Sequence, residues 1–270
     1  MDQNAASQPE DQHNPNESAP TPIILVHGAW HGAWCWAGFQ AELDRRGLPS
    51  LAIDLPGHGA STEDFGGLLD DALYLSRVLD SLARKSENPG QKRILVGHSY
   101  GGAVITQAAM REQTPRDDID HLVYVAAFAP EAGESVSAAL EKMYTGADDA
   151  TGGSLLRTSV LPQEDDSTTL DPTKAKDLLY ADCGAAEIAA AIHRLCPQPN
   201  ATMREAVTGN PRASLPSTYI RCLRDRAIEP SVQAQMAKRC DRSVDFDTDH
   251  SPFMSAPLAL ADQLESLALK

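Results

Sequence analysis

The sequence predicts an α/β protein: a mostly parallel, six-stranded sheet flanked by helices, with a mainly helical insertion late in the chain. Three observations support this. Short apolar runs bounded by Gly, Pro or His alternate with amphipathic segments over residues 21–130 and again over 216–270. One run, Ile94-Leu95-Val96, stops at Gly97 and turns through His98-Ser99-Tyr100 into Gly101-Gly102 and a stretch with helical character. Between 131 and 215 the alternation lapses into weak helical periodicity broken by Gly, Pro, Asp and Thr.

The elements follow in order. Residues 1–20 are rich in Gln, Asn, Pro, Glu and Ser and bury too little apolar surface to offset their ordering entropy, so a disordered tail is expected. A buried strand is expected over 22–26, a helix over 36–46 closed by Gly47, and a strand over 50–54. An amphipathic helix over 68–84 carries Asp70 and Asp71 in its first turn. The Ser99 strand and its helix come next, then a polar connection over 112–120 and a buried strand over 121–128. These repeats make residues 21–130 and 216–270 the core and 131–215 a cap, or lid, over the C-terminal edge of the sheet. Within the cap, helical stretches are expected over 136–144, 174–180 and 185–195, with Glu164-Asp165-Asp166 in a solvated loop. The rhythm resumes with strands over 217–223 and 242–246 and helices over 231–239 and 256–267.

Composition bounds the function. A chain of 270 residues with 42% hydrophobic content can bury a substantial core. The net charge of −15 argues against nucleic acid, anionic membrane surfaces and strongly anionic substrates. No apolar stretch reaches spanning length and no basic-then-apolar signal opens the chain, so a cytoplasmic protein is expected. The five cysteines lack metal-ligand spacing and form no disulfide framework, and Asn200-Ala201-Thr202 reads as a chance sequon.

Candidate chemistry gathers after the strands, because the C-terminal ends of parallel strands open onto one edge. Gly97 and Gly101 flank Ser99 as G-x-S-x-G, a corner that lifts a serine hydroxyl clear of the sheet. Such a serine needs a base, and His250 after the last strand fits. Asp225, after the preceding strand, is the carboxylate expected to orient that imidazole, with Asp247 and Asp249 as rivals. The N–H groups of Ala29 and Tyr100 are the candidate oxyanion donors. His31, Asp54 and His58 read as loop-fixing residues, and His193 as a packed one. Trp30 is expected to reach the substrate pocket. In the cap the pocket-facing candidates are Met143, Tyr144, Leu155, Leu156, Leu178, Leu179, Tyr180, Ile192 and Leu195.

With the motifs His27-Gly28-Ala29-Trp30-His31-Gly32-Ala33-Trp34, Gly97-His98-Ser99-Tyr100-Gly101-Gly102, Asp225-Arg226-Ala227-Ile228 and Asp249-His250-Ser251-Pro252 in this order, the chain resembles the α/β-hydrolases. The resemblance is to the branch of plant methylesterases, hydroxynitrile lyases and related bacterial esterases. It implies Ser99 as nucleophile, His250 as base, Asp225 as acid, Ala29 and Tyr100 at the oxyanion, and no cofactor or metal. Lyases of the branch carry a threonine in the first loop and a lysine directly after the catalytic histidine. Gly28-Ala29 and Ser251 stand at those positions here, which favours hydrolysis. The expectation is therefore a serine esterase acting through an acyl-enzyme on a small, largely apolar, uncharged ester or a lactone. Its expected partners are that small molecule and, in one arrangement, a second copy in a homodimer. A lyase-like or C–C bond-cleaving enzyme and a non-catalytic small-molecule receptor are the alternatives.

Overall fold

Six short runs pair side by side, every neighbour parallel: β1 (Ile23–Val26), β2 (Ser50–Ile53), β3 (Arg93–His98), β4 (Ile119–Val125), β5 (Ser217–Cys222) and β6 (Arg242–Phe246). Their order across the sheet is β6-β5-β4-β3-β1-β2. This computed structural model describes residues 19–144 and 155–270. The expected tail lies outside them except for its last two residues. Every residue of β1 and β3 is buried, as in a sheet covered on both faces, whereas the edge strands β2 and β6 are partly open.

Helices α1 (Ala37–Arg45), α2 (Leu68–Lys85) and α3 (Gly101–Ala108) precede residues 131–144 and 155–215, the covering segment, part of which lines the same cavity as Ser99. That segment holds α4 (Val136–Tyr144), α5 (Leu155–Ser159), α6 (Pro172–Leu179), α7 (Ala185–Ile192) and α8 (Ala201–Arg204). Helices α9 (Pro230–Ala237), α10 (Pro252–Ser255) and α11 (Pro257–Ala268) complete the chain. The period-two alternation of strand side chains divides the core between two faces. Ile23, Leu25, Ile94, Val96 and Ile220 pack with Phe39 and Leu43 of α1 and Leu260 and Leu264 of α11. Ile24, Val26, Leu95 and Tyr219 pack with Leu75 and Leu79 of α2, Val104 of α3 and Met236 of α9.

The second apolar layer runs without a break into the covering segment through Val136, Ala139, Met143, Leu178, Leu179 and Ile188. The segment is less purely helical than expected. Val160–Pro162, Ser167–Leu170 and Gln198–Pro199 form a three-stranded antiparallel sheet. The acidic loop is the turn of its hairpin, with Asp166 at φ 59°. Strands this short show no period in the sequence, and one partner comes from about thirty residues further on. A second small hairpin, Met110–Arg111 with Thr114–Pro115, occupies part of the polar connection before β4. That strand ends at Val125, earlier than its apolar run, because Ala126 turns the chain at φ 43°. Among the described residues no helix is long and apolar enough to cross a membrane.

The chain leaves β1 toward β2 and then returns to place β3 on the other side of β1. Val26 is in register with Gly97, so the loops after β1 and β3 start side by side at this reversal, where ligands bind in open α/β sheets.

Candidate active site

The corner after β3 is built by close backbone approach. A Cβ on Gly97 would stand 2.5 Å from the carbonyl oxygen of Gly101, and one on Gly101 would stand 2.6 Å from the carbonyls of Val26 and His27. Ser99 between them has φ 52°, a left-handed conformation that L-residues rarely adopt. Its backbone is tied on both sides: its N–H donates to Val125 O at 3.2 Å, and its carbonyl accepts from Gly102 N–H at 3.1 Å and Phe128 N–H at 3.0 Å. The hydroxyl stands at the N-terminus of α3, the positive end of the helix dipole.

Two loops bring the histidine and the carboxylate. His250 Nδ1 donates to Asp225 Oδ2 at 2.6 Å, and both side chains are buried. Three other donors hold that carboxylate. Ala227 N–H and Ile228 N–H reach Oδ1 at 2.7 and 3.0 Å, and Gln233 Nε2 reaches Oδ2 at 2.8 Å. The His250 carbonyl accepts from His98 Nε2 at 2.9 Å, so the residue before Ser99 grips the backbone of the histidine. The rival carboxylates are otherwise engaged. Asp249 accepts from Ser251 N–H, Ser255 Oγ and Asp182 N–H, and Asp247 pairs with Arg224 at the surface.

The loop after β1 supplies the third side. His31 Nδ1 donates to Ala29 O at 2.7 Å, and His31 Nε2 lies 2.6 Å from Tyr180 OH, which donates to it. Burial pushes the His31 pKa down to about 4 and holds His27 and His98 well below the ordinary imidazole value, so these rings are neutral at pH 7. Asp54 accepts from Ala33 N–H and Ala60 N–H, and His58 Nδ1 donates to Pro56 O, which are loop-fixing contacts. His193, expected to be packed, is exposed at the end of α7.

Ala29, Trp30, Ser99, Tyr100 and His250 all line one cavity of about 210 Å³. Its other walls are mostly apolar, including Phe128 and Ile228 from the core and Val136, Leu140, Val160 and Met203 from the covering segment, with Ser137, Thr168 and Asn200 among them as uncharged polar residues. No Asp, Glu, Lys or Arg is among the described lining residues. Of the pocket residues expected from the sequence, Trp30, Leu156 and Leu179 line it. Met143 and Leu178 instead lie in the apolar core, and Leu155, Ile192 and Leu195 pack against it. Tyr180 is buried behind His31. The side chain of Tyr144 lies outside the described residues. Successive helical residues point about 100° apart, so on α5 Leu156 reaches the cavity while Leu155 does not, and on α6 Leu179 reaches it while Leu178 does not. Gln233 and Gln198 do not stand out in the sequence, because a glutamine in a helix or loop carries no chemical signature. All five cysteines are free. Among the described residues no group of His, Cys, Asp or Glu is arranged to hold a metal ion.

The molecule has relatives of known kind. The pFDCC methylesterase MES16 of Arabidopsis thaliana is 30% identical over 259 residues, covering 90% of this chain and 94% of its own. A pheophorbidase of Raphanus sativus is 30% identical over 251 residues, covering 88% and 90%. Among solved structures, the Arabidopsis methylesterase MES16 superposes with a TM-score of 0.71 at 26% identity, covering 90% of this chain and 96% of its own. A pyrethroid hydrolase from Sphingobium faniae JZ-2 superposes at 0.76 with 22% identity, covering 92% and 97%, and shares the fold. The alpha/beta hydrolase family model matches residues 23–263. The chain belongs to the α/β-hydrolase family.

Proposed function

We propose that this carboxylic ester hydrolase cleaves a small, largely apolar, uncharged ester, such as a methyl ester, through an acyl-enzyme on Ser99. The observation that carries the reading is the buried Asp225–His250 pair at the wall of the cavity that Ser99 also lines. With Nδ1–H committed to a carboxylate, His250 presents Nε2 as its basic nitrogen. In this scheme Nε2 takes the Ser99 proton as Oγ attacks the ester carbonyl. The N–H groups of Ala29 and Tyr100 receive the developing oxyanion. His250 then gives the proton to the leaving alkoxide, and a water activated by the same nitrogen releases the acid and restores Ser99. The mostly apolar lining, without carboxylates, lysines or arginines among the described residues, favours neutral substrates over charged ones.

The test is a panel of p-nitrophenyl esters of rising chain length, then methyl esters of bulkier acids and lactones, run on the unsubstituted protein and on Ser99→Ala. Turnover on part of the panel, lost by at least about a thousandfold in Ser99→Ala with the fold intact, is the expected result. Undiminished hydrolysis by Ser99→Ala would refute the nucleophile, and tight binding without any turnover would favour a receptor.

A further inference from the structure

We propose that Gln198, on the covering segment, is a positioning residue for the oxyanion site: its carboxamide fixes the peptide that follows Ala29. The inference rests on the role of Ala29 given above. It starts from Trp30, whose φ is 64°. A bulky aromatic residue in the left-handed region is uncommon and persists only where its surroundings dictate it.

Here the surroundings come from the covering segment. Trp30 N–H donates to Gln198 Oε1 at 3.1 Å, and Trp30 O accepts from Cys196 N–H at 3.0 Å. The indole Nε1 donates to Thr168 Oγ1 at 3.2 Å, and that hydroxyl donates to Gln198 O at 3.3 Å. The peptide between Ala29 and Trp30 is thereby pinned at both polar atoms. Its carbonyl accepts from His31 Nδ1, and its N–H is taken by Gln198. The His31 ring is itself held by Tyr180 OH, so both pins lead back to the covering segment.

Gln198 is well placed to act as a fixed point. It is 1% exposed, and its Nε2 donates to Thr202 Oγ1 at 3.0 Å, whose hydroxyl donates to Pro199 O at 2.6 Å. Its Oε1 also lies 2.9 Å from His58 Nε2, in the loop after β2. One carboxamide thus ties the loop after β1 to the covering segment. Ala29 N–H lies one Cα away from the pinned peptide, so fixing that plane restrains the loop that carries the donor. The covering segment then completes the catalytic geometry as well as enclosing substrate, and it cannot swing away whole without loosening the oxyanion loop.

The experiment compares Gln198→Met, which keeps the length and loses the acceptor, with Gln198→Glu, which keeps an acceptor oxygen in reach. Each is assayed on an ester that the unsubstituted protein hydrolyses. Each is also titrated with a matched pair of inhibitors: a trifluoromethyl ketone, to whose carbonyl Ser99 Oγ adds to give an oxyanion, and the corresponding methyl ketone, which binds without adding. Gln198→Met is expected to lose about 30- to 100-fold in kcat with KM within about threefold, since a misplaced donor acts on the transition state. Affinity for the trifluoromethyl ketone should fall by the same factor and affinity for the methyl ketone should not. Gln198→Glu should recover most of the loss. Should Gln198→Met fail to fold, Thr202→Val, which frees the carboxamide and drops the bond to Pro199 O, is expected to show the same pattern at about three- to tenfold. Unchanged kcat in the folded variant, or equal losses for both ketones, overturns the proposal. An unsubstituted protein that neither hydrolyses esters nor captures the trifluoromethyl ketone overturns the serine reading itself, and shows it before any substitution at Gln198.

Discussion

Asp225 accepts four hydrogen bonds, two of them from backbone N–H groups of the turn that follows it and one from Gln233 on α9. An asparagine there keeps the shape but loses an acceptor. If its amide nitrogen faces His250, the imidazole must take the tautomer with its proton on the wrong nitrogen. Asp225→Asn is therefore expected to lower kcat/KM by about a thousand- to ten-thousandfold, and to cost about 1–3 kcal/mol of stability because its amide also faces a buried donor such as Gln233 Nε2. Asp247→Asn breaks only an exposed pair with Arg224 and should stay within about twofold of the parent. Asp249→Asn weakens the anchor to Asp182 N–H and should lower the melting temperature more than the chemical step. Steady-state kinetics beside thermal unfolding on the three variants checks the ranking, and equal kinetic losses at Asp225 and Asp249 would move the acid. At this scale the sequence was legible where chemistry restricts residue type: a serine between glycines, a histidine and an aspartate each just after a strand. It was silent on Gln233, Gln198 and the grip of His98 on the His250 backbone, since these act through partners far off in the chain.

The elbow between β3 and α3 is where element geometry and site geometry coincide. An alanine at Gly101 would drive its Cβ to 2.6 Å from two carbonyl oxygens of the β1 loop, so strand and helix must part. Gly101→Ala is expected to cost about 3 kcal/mol of stability and most of the activity. Gly38 is the contrasting case. It lies exposed in α1, and a Cβ there meets nothing within 4 Å, so Gly38→Ala should stabilise by about 0.5–1 kcal/mol at unchanged kcat. Urea unfolding of both variants tests the pair, and a stabilising Gly101→Ala would show that the close approach is not there. Elements with strong periodicity or unbroken apolar runs were readable in advance, since a sheet covered on both faces demands them. The bounds of α4 match the expectation outright, and α2 differs by one residue. The small antiparallel sheet of the covering segment was not readable, because its strands are held by partners and by Thr168 and Gln198 contacts rather than by their own pattern.

At the scale of the whole molecule, acidity acts through two opposed sets of groups. Burial lowers the pKa of His27, His31, His58, His98 and His121, and brings His31 and His121 to about 4. The unfolded chain binds protons at these rings near pH 6.5 while the folded one does not, so stability falls as pH drops from about 7 toward 4. Asp71 works the other way. Burial raises it to about 7 despite the hydrogen bond from Tyr100 OH, so its protonation on acidification relieves a cost. Lowering the pH also shrinks the net charge of −15 and eases surface repulsion, but salt screens that effect at physiological ionic strength. His31, which is 1% exposed, alone accounts for about 2 kcal/mol lost at pH 5, and the other four rings act in the same direction against one carboxyl. The paired carboxylates held low, such as Glu134 beside Arg239, lose their contribution only at lower pH. Urea unfolding at pH 7 and pH 5 in about 0.15 M salt should therefore show a net loss of several kcal/mol on acidification. His121→Gln, on β4 and away from the cavity, should shrink that loss while leaving activity at pH 7 unchanged. Equal stability at the two pH values would mean that the buried rings are charged in the folded protein, and the neutral histidine cluster behind Ser99 and His250 would have to be abandoned.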